Sequence, residues 1–220
     1  MDDIAAAPPL VGHDFFDRAR ARLKLDVPAA LDDVTATATR GDIDQDPELW
    51  KRAGVAATRP AAVLVPVVDR PDPAVLLTQR TADLASHAGQ VAFPGGKIEP
   101  HDKTPAAAAM REAKEEIGLS HALIEPIGYL DLYLTFSGFR VLPTVARVAP
   151  DYRLTINPAE VAEAFEVPLS FVLDPANHRR VTRTYEGRTR TFYVLPFENR
   201  FIWGATAGML VNLAEVLAGG

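Results

Sequence analysis

Arg111-Glu112-Ala113-Lys114-Glu115-Glu116-Ile117-Gly118-Leu119, preceded by Phe93-Pro94-Gly95-Gly96, holds the densest chemical information in the chain. Positions 112, 115 and 116 are spaced i, i+3 and i+4, so on a helix the three carboxylates share one face. Like charges so placed repel by about 0.2–0.5 kcal/mol per pair on an exposed helix. Convergence needs an offset, and a divalent cation supplies one. An oxygen-only donor set of this kind suits Mg²⁺ or Mn²⁺ rather than zinc. Arg111 stands four residues before Glu115 and within reach of it. A Glu-Glu pair alone reads as a solvated acidic face. The glycine loop upstream changes that reading, because a tight turn free of side chains lets backbone carbonyls join the metal's surroundings.

Working outward, Thr104 is placed to cap a helix that has Pro105 at its first position and Gly118 as its terminator, predicting helix over 105–117. The four alanines, Ala106 to Ala109, give it a small-residue face for close packing on a sheet. Upstream, Ala61 to Val68 and Ala74 to Thr78 flank the turn signal Asp69-Arg70-Pro71-Asp72-Pro73 and read as neighbouring, largely buried strands. Downstream, strands are expected at Ile127–Leu134 and Phe139–Val148, a short helical piece at Pro158–Ala164, and a hairpin pairing Thr182–Tyr185 with Arg188–Val194 around Glu186-Gly187. A final helix is expected over Ala205–Leu217. The first sixty residues differ, with a helix predicted over Phe15–Leu25 that carries Phe16, Ala19 and Leu23 on one side. Arg18, Arg20 and Arg22 read as its solvated face. A second short helix is expected at Glu48–Ala53, after the start signal Asp46-Pro47. The class is α/β (α+β), with an N-terminal helical extension over 1–58 and one domain over 59–220.

Composition limits the function. The 220 residues are 48% hydrophobic and 24% charged, enough apolar material for a core. Zero cysteines exclude disulfides, cysteine-ligated zinc and thiol catalysis. The longest uncharged run, Phe201 to Ala214, is shorter than the roughly 18 residues a spanning helix needs, so no membrane partner is expected. The acidic Met1-Asp2-Asp3 lacks the basic start of a secretory signal, and a cytoplasmic location is expected. A net charge of −6 argues against a nucleic-acid partner.

With these residues in view, the chain resembles the Nudix hydrolases. Their box reads Gly, five residues, Glu, seven residues, Arg-Glu, aliphatic, any, Glu-Glu, any, Gly, aliphatic. Gly96 and Arg111 to Leu119 match it. Asp102 stands where the first Glu is expected, fourteen residues rather than thirteen separate Gly96 from Arg111, and Ala113 is a small choice for the aliphatic position. Leu76-Leu77-Thr78-Gln79-Arg80 and Ser86-His87-Ala88-Gly89-Gln90-Val91-Ala92-Phe93-Pro94-Gly95-Gly96 are similar to the signature of the coenzyme A pyrophosphatase-like subgroup, which also has the longer box loop. Thr135-Phe136-Ser137-Gly138-Phe139, Glu160-Val161 and Ile202 to Ala207 look like its later landmarks. Thr81 replaces the usual Ser or Ala, and Ala85 stands where that signature has Arg.

The resemblance implies a Nudix fold, a mixed β-sheet sandwiched between helices. It implies hydrolysis of X-linked nucleoside diphosphates with Mg²⁺ or Mn²⁺. Glu112 and Glu116 are then expected as metal ligands with the Gly96 carbonyl, and Glu115 as a ligand or a neighbouring carboxylate held by Arg111. The general base is a box glutamate or one of Glu160 and Glu163. Arg80, His87 and Gln90 are expected to contact a small nucleotide-type substrate. The first substrate reading is coenzyme A or its thioesters, giving 4′-phosphopantetheine (or its acyl form) and adenosine 3′,5′-bisphosphate. ADP-ribose, NADH or another dinucleotide is the alternative, and a non-catalytic ligand-sensing module the reading from another class. Arg179, Arg180, Arg183, Arg188 and Arg190 form a basic island, read either as a solvated hairpin or as an anion clamp. Trp203 and Phe201 read as core residues before adenine-stacking ones. A homodimer involving the N-terminal extension stays open.

Overall fold

The computed structural model describes residues 12–33, 40–42, 58–82, 87–135, 137–185 and 188–219. In chain order its helices and strands are α1 (Gly12–Arg22), β1 (Arg40–Gly41), β2 (Arg59–Val68), β3 (Ala74–Arg80), β4 (Val91–Ala92), β5 (Gly95–Lys97), α2 (Pro105–Ile117), β6 (Ile124–Tyr129), β7 (Tyr133–Leu134), β8 (Phe139–Val148), β9 (Val161–Pro168), α3 (Leu169–Leu173), β10 (Arg179–Tyr185), β11 (Arg188–Phe197), β12 (Arg200–Trp203) and α4 (Gly204–Ala218). The expected helix at Glu48–Ala53 and the turn Glu186-Gly187 lie outside the described residues.

The apolar strands β2 and β8 pair in parallel along their whole length, from Arg59↔Phe139 to Val68↔Val148. Around them runs a mixed sheet in the order β1-β7-β8-β2-β3-β4, with β5 also on β2, β6 on β8 and β9 on β3. Side chains alternate across a strand, and that alternation sorts the core. Ala62, Leu64, Val68, Leu76, Ala146 and Val148 pack with Ala108, Ala109, Ala113 and Ile117 of α2. Their neighbours Val65, Val67, Val75, Leu77 and Val145 pack on the other side, with Phe15 and Phe16 of α1 and Leu210 and Leu213 of α4. The sheet is therefore sandwiched between helices, as expected. A second sheet, β10-β11-β12, is antiparallel throughout.

Helix α2 spans the predicted residues. Thr104 Oγ1 accepts from the Ala107 N–H at 3.1 Å, and Gly118 closes the helix in the left-handed region at φ 69°. Removing that cap as Thr104→Ala should lower unfolding free energy by about 1 kcal/mol, read by urea denaturation. Helix α1 starts at Gly12 and stops at Arg22, shorter at its far end than predicted. Its arginines are more than a solvated face. Arg22 Nη1 donates to the Val216 carbonyl at 2.7 Å and Arg18 Nη1 to that of Leu217 at 3.4 Å, placing two cations at the carbonyl-rich end of α4. Arg20 pairs with Glu125 at 2.9 Å.

Two expectations are corrected. Pro158–Ala164 is no helix: Asn157 to Glu160 form a turn, and β9 begins at Val161, paired with β3 from Ala74↔Pro168 to Gln79↔Glu163. Its helix-forming Ala and Glu residues yield to the open edge of β3, whose backbone groups must be paired. The strand expected at Ile127–Leu134 divides into β6 and β7. Among the described residues, no helix is long and apolar enough to cross a membrane.

Candidate active site

Arg111 organises the box. Its Nε and Nη2 donate to the two carboxylate oxygens of Asp102, at 3.1 and 3.0 Å. Nη2 also reaches the Lys97 carbonyl at 3.1 Å. Nη1 donates to Glu112 Oε1 at 2.9 Å and to Glu115 Oε2 at 3.0 Å, the i+4 contact that the spacing predicts. Asp102 accepts in addition from the Glu99 N–H at 2.8 Å. Its side chain is 4% exposed, and the Arg111 guanidinium holds its carboxyl below the usual range. The acid at the first box position thus ties the lengthened loop back onto α2. Spacing alone does not reveal that role, because it depends on the loop's path.

Gly95 and Gly96 form the short strand β5, paired to Val63 and Ala62 of β2. This corrects the expected tight turn, though the freedom from side chains matters in the same way. A Cβ at residue 95 would stand 2.5 Å from the Ala62 carbonyl, and one at residue 96 would stand 2.5 Å from Glu112 Oε1. The Glu112 carboxylate therefore lies directly on the Gly96 backbone. Half-burial pushes its carboxyl pKa up, against the opposing pull of Arg111.

Glu116 is buried, at 3% exposure. It accepts a 3.3 Å hydrogen bond from the Gly95 N–H, and Arg80 Nη1 lies 3.9 Å from its Oε1. Burial pushes its carboxyl up to about 8, with the Glu112 and Glu160 charges adding to the rise. Of the two places expected for Glu115, the geometry has the one beside Arg111: its side chain is 56% exposed and turned to that guanidinium. Glu160 sits in the turn docked on the end of α2 by the Asn157 N–H, which donates to the Glu116 carbonyl at 2.8 Å. The Asn157 amide reaches Glu160 Oε1 at 3.3 Å. Glu163 is engaged elsewhere, accepting from Arg200 Nε at 3.0 Å. Among the described residues, no three acidic or histidine side chains stand at metal-holding spacing as a finished cage. The donors nonetheless suit a hard divalent ion. Glu112 and Glu116 bring carboxylate oxygens beside the β5 backbone, and Glu116 is a buried acid with one long amide contact and a distant guanidinium.

The Gly95–Gly96 backbone and Arg80, which flank these carboxylates, open onto a cleft of about 1310 Å³ that His87 and Gln90 also line. A bulge in the β3–β9 pairing falls between Gln79 and Arg80, where such irregularities re-aim a side chain. His87 Nδ1 and Gln90 Oε1 meet at 2.9 Å. The cleft also takes in Arg183, Arg190, Phe192, Phe201 and Trp203. The expectation that Phe201 and Trp203 are core is corrected: they are 45% and 37% exposed, while Ile202 between them is fully buried. Of the remaining arginines, Arg180 lies over the Tyr193 ring at 5.8 Å, and the side chain of Arg188 lies outside the described residues, as does Ala85.

The NUDIX domain family matches residues 58–185. A protein described as "Uncharacterized Nudix hydrolase NudL" from Photorhabdus laumondii subsp. laumondii is 42% identical over 157 residues, covering 71% of this chain and 84% of that protein. A protein of the same description from Yersinia pestis (strain Pestoides F) is 40% identical over 160 residues, covering 73% and 80%. A solved Nudix hydrolase from M. smegmatis, RenU, shares 25% identity over 51% of this chain and 71% of that one, with a TM-score of 0.40. Nudix proteins generally use divalent ions such as Mg²⁺ or Mn²⁺. On the box residues, the mixed sheet between helices, the family match over residues 58–185 and the two NudL relatives, the chain is a Nudix hydrolase family member.

Proposed function

We propose that this protein hydrolyses the pyrophosphate bond of coenzyme A or its thioesters, releasing 4′-phosphopantetheine (or its acyl form) and adenosine 3′,5′-bisphosphate. The observation that carries the hydrolase reading is Glu116, a buried carboxylate left short of positive charge beside Glu112 and the β5 backbone. Glu112, Glu116 and the Gly96 carbonyl would hold Mg²⁺ or Mn²⁺. When bound, such an ion neutralises pyrophosphate charge and acidifies water.

The chain's own residues do the rest. Arg80 faces the same cleft and binds a pyrophosphate oxygen, while His87 and Gln90, joined to each other, border the substrate's path. Arg111 and Asp102 act through others. They fix Glu112 and Glu115 and the loop that carries Gly96. Glu160 is the preferred general base, because its charge is felt at both Glu112 and Glu116 whereas Glu163 is committed to Arg200. Glu160 takes a proton from water as the water oxygen bonds to one phosphorus. The bond from that phosphorus to the bridging oxygen then breaks, giving two phosphate monoesters. The reacting unit is residues 59–220, and the N-terminal 58 residues are an extension whose α1 rests on α4.

Support for coenzyme A comes from the segment Ser86–Gly96, whose His87, Gln90, Gly95 and Gly96 line the cleft, and from the aromatic and basic groups at the same cleft. The test is a product assay with coenzyme A, ADP-ribose and NADH, each with Mg²⁺ or Mn²⁺. Coenzyme A should give the highest kcat/KM, and a chelator should stop the reaction. Faster cleavage of ADP-ribose or NADH would overturn the substrate assignment. Binding without cleavage of any of the three would overturn the hydrolase reading in favour of a sensing module.

A further inference from the structure

The hairpin β10–β11 places Arg183 directly opposite Arg190. Two like charges in direct cross-strand register repel, an unfavourable pairing taken by itself. Slippage does not relieve it. On the opposite hairpin face, Thr182 Oγ1 meets Thr191 Oγ1 at 2.9 Å, and Thr184 Oγ1 meets Thr189 Oγ1 at 3.3 Å. These hydroxyl rungs on either side pin the register. Both guanidinium side chains belong to residues that line the cleft.

The cleft has a marked charge bias in a protein of net −6. Arg80, Lys97, Arg183 and Arg190 line it, against a single acidic lining residue among those described, Asp42. Asp42 Oδ1 in turn accepts from the Tyr133 hydroxyl at 2.8 Å. Lys97 and Arg80 belong with the Gly95–Gly96 strand and Glu116, where the pyrophosphate is assigned. Arg183 and Arg190 come from a different sheet, alongside an aromatic pair, Phe192 and Trp203, whose rings are tilted at 60° with centroids 5.5 Å apart. A ligand filling both regions carries a pyrophosphate, a flat ring system and a second, separate anion.

We propose that Arg183 and Arg190 together seat a phosphomonoester of the substrate, distinct from the scissile pyrophosphate, and so select adenosine diphosphate derivatives phosphorylated on the ribose. This rests on the coenzyme A reading above, and names the part of the molecule that the hairpin recognises. Paired guanidiniums fit a dianionic phosphate through parallel N–H···O bonds, and the anion cancels the repulsion across the rung.

Two measurements separate this proposal from the reading beneath it. In the first, kcat/KM is determined for coenzyme A and for 3′-dephospho-coenzyme A with Mg²⁺, for the full-length protein and for Arg183→Gln, Arg190→Gln and the double variant. The coenzyme A to dephospho-coenzyme A ratio should fall by about 10- to 100-fold in the double variant, through KM. An unchanged ratio overturns the proposal. In the second, calorimetry compares adenosine 3′,5′-bisphosphate with AMP, with chelator present so that no turnover is needed. The intact protein should bind the bisphosphate more tightly, and the double variant should lose that preference. Equal binding of the two by the intact protein overturns the seat, whatever the enzyme cleaves. Cleavage of neither coenzyme with the bisphosphate preference intact would instead overturn the hydrolysis and leave the seat standing. Arg183→Lys with Arg190→Lys guards against misfolding, since it keeps the charge and should retain part of the preference.

Discussion

Glu116→Gln should lower kcat by about 10³-fold with Mg²⁺ present, while raising the melting temperature of the metal-free protein at pH 8 and above. The first effect follows from losing a charged donor to the ion, a change in transition-state stabilisation of about 4 kcal/mol. The second follows from burial. The carboxyl is held up to about 8 in the folded protein, well above the ordinary glutamate value near 4.3. Folding therefore favours its neutral form. Its stability contribution is fully present below the unfolded pKa and is lost as pH rises through the folded one. Glutamine stays neutral throughout and can still accept from the Gly95 N–H. In chelator, the stability gain of the variant should be small near pH 4.5, grow with pH and level off above pH 8. A variant that loses stability at pH 8 along with turnover would mark Glu116 as a scaffold residue. Unchanged turnover would remove it from the metal set.

Arg111→Met should destabilise the protein by about 3 kcal/mol and reduce kcat/KM by about 10²-fold. Asp102, with a side chain 4% exposed, would keep one hydrogen bond, from the Glu99 N–H, and an exposed imidazole 3.9 Å away, and removing the main partner of a buried ion pair leaves its charge poorly compensated. The kinetic loss comes by another route, because Glu112 and Glu115 lose the fork that fixes them, and misplacement by about 1 Å is enough for such a loss. Adding Asp102→Asn removes the stranded charge. The double variant should unfold at higher urea than Arg111→Met alone, while its kcat/KM stays low. Recovery of both quantities together would show that activity merely tracks folding. Additive losses would show that the two residues do not interact.

Local signals made α2 legible to the residue, since Thr104, Pro105 and Gly118 each act on their own backbone neighbourhood. The strand β8 was equally legible and β2 to within two residues, because their apolar runs are long enough to need burial on both faces. What escaped the sequence depends on contacts through space. Val161–Pro168 begins with Ala and Glu residues that suit a helix, and only the unpaired edge of β3 makes it a strand. Phe201-Ile202-Trp203 offers three apolar residues in a row. Which of them faces the core is decided by the register of β12 on β11. In the candidate site, the spacing of 112, 115 and 116 correctly places them on one side of α2. It could not show that Arg111 draws Glu115 outward while Glu116 sinks beneath β5. Nor could it show that the arginines of α1 serve the far end of α4.

That last contact has a consequence for how the chain matures on the ribosome. Arg22 meets the carbonyl of Val216, 194 positions later, and α1 shares its core cluster with Leu210, Leu213 and Leu217. On the ribosome α1 must wait for α4, nearly two hundred residues downstream, to be translated before its apolar side is covered. During that interval Phe15 and Phe16, both buried in the finished fold, lack the α4 side of their packing and present a target to chaperones. Closure of α1 against α4 therefore follows the synthesis of α4 rather than that of α1.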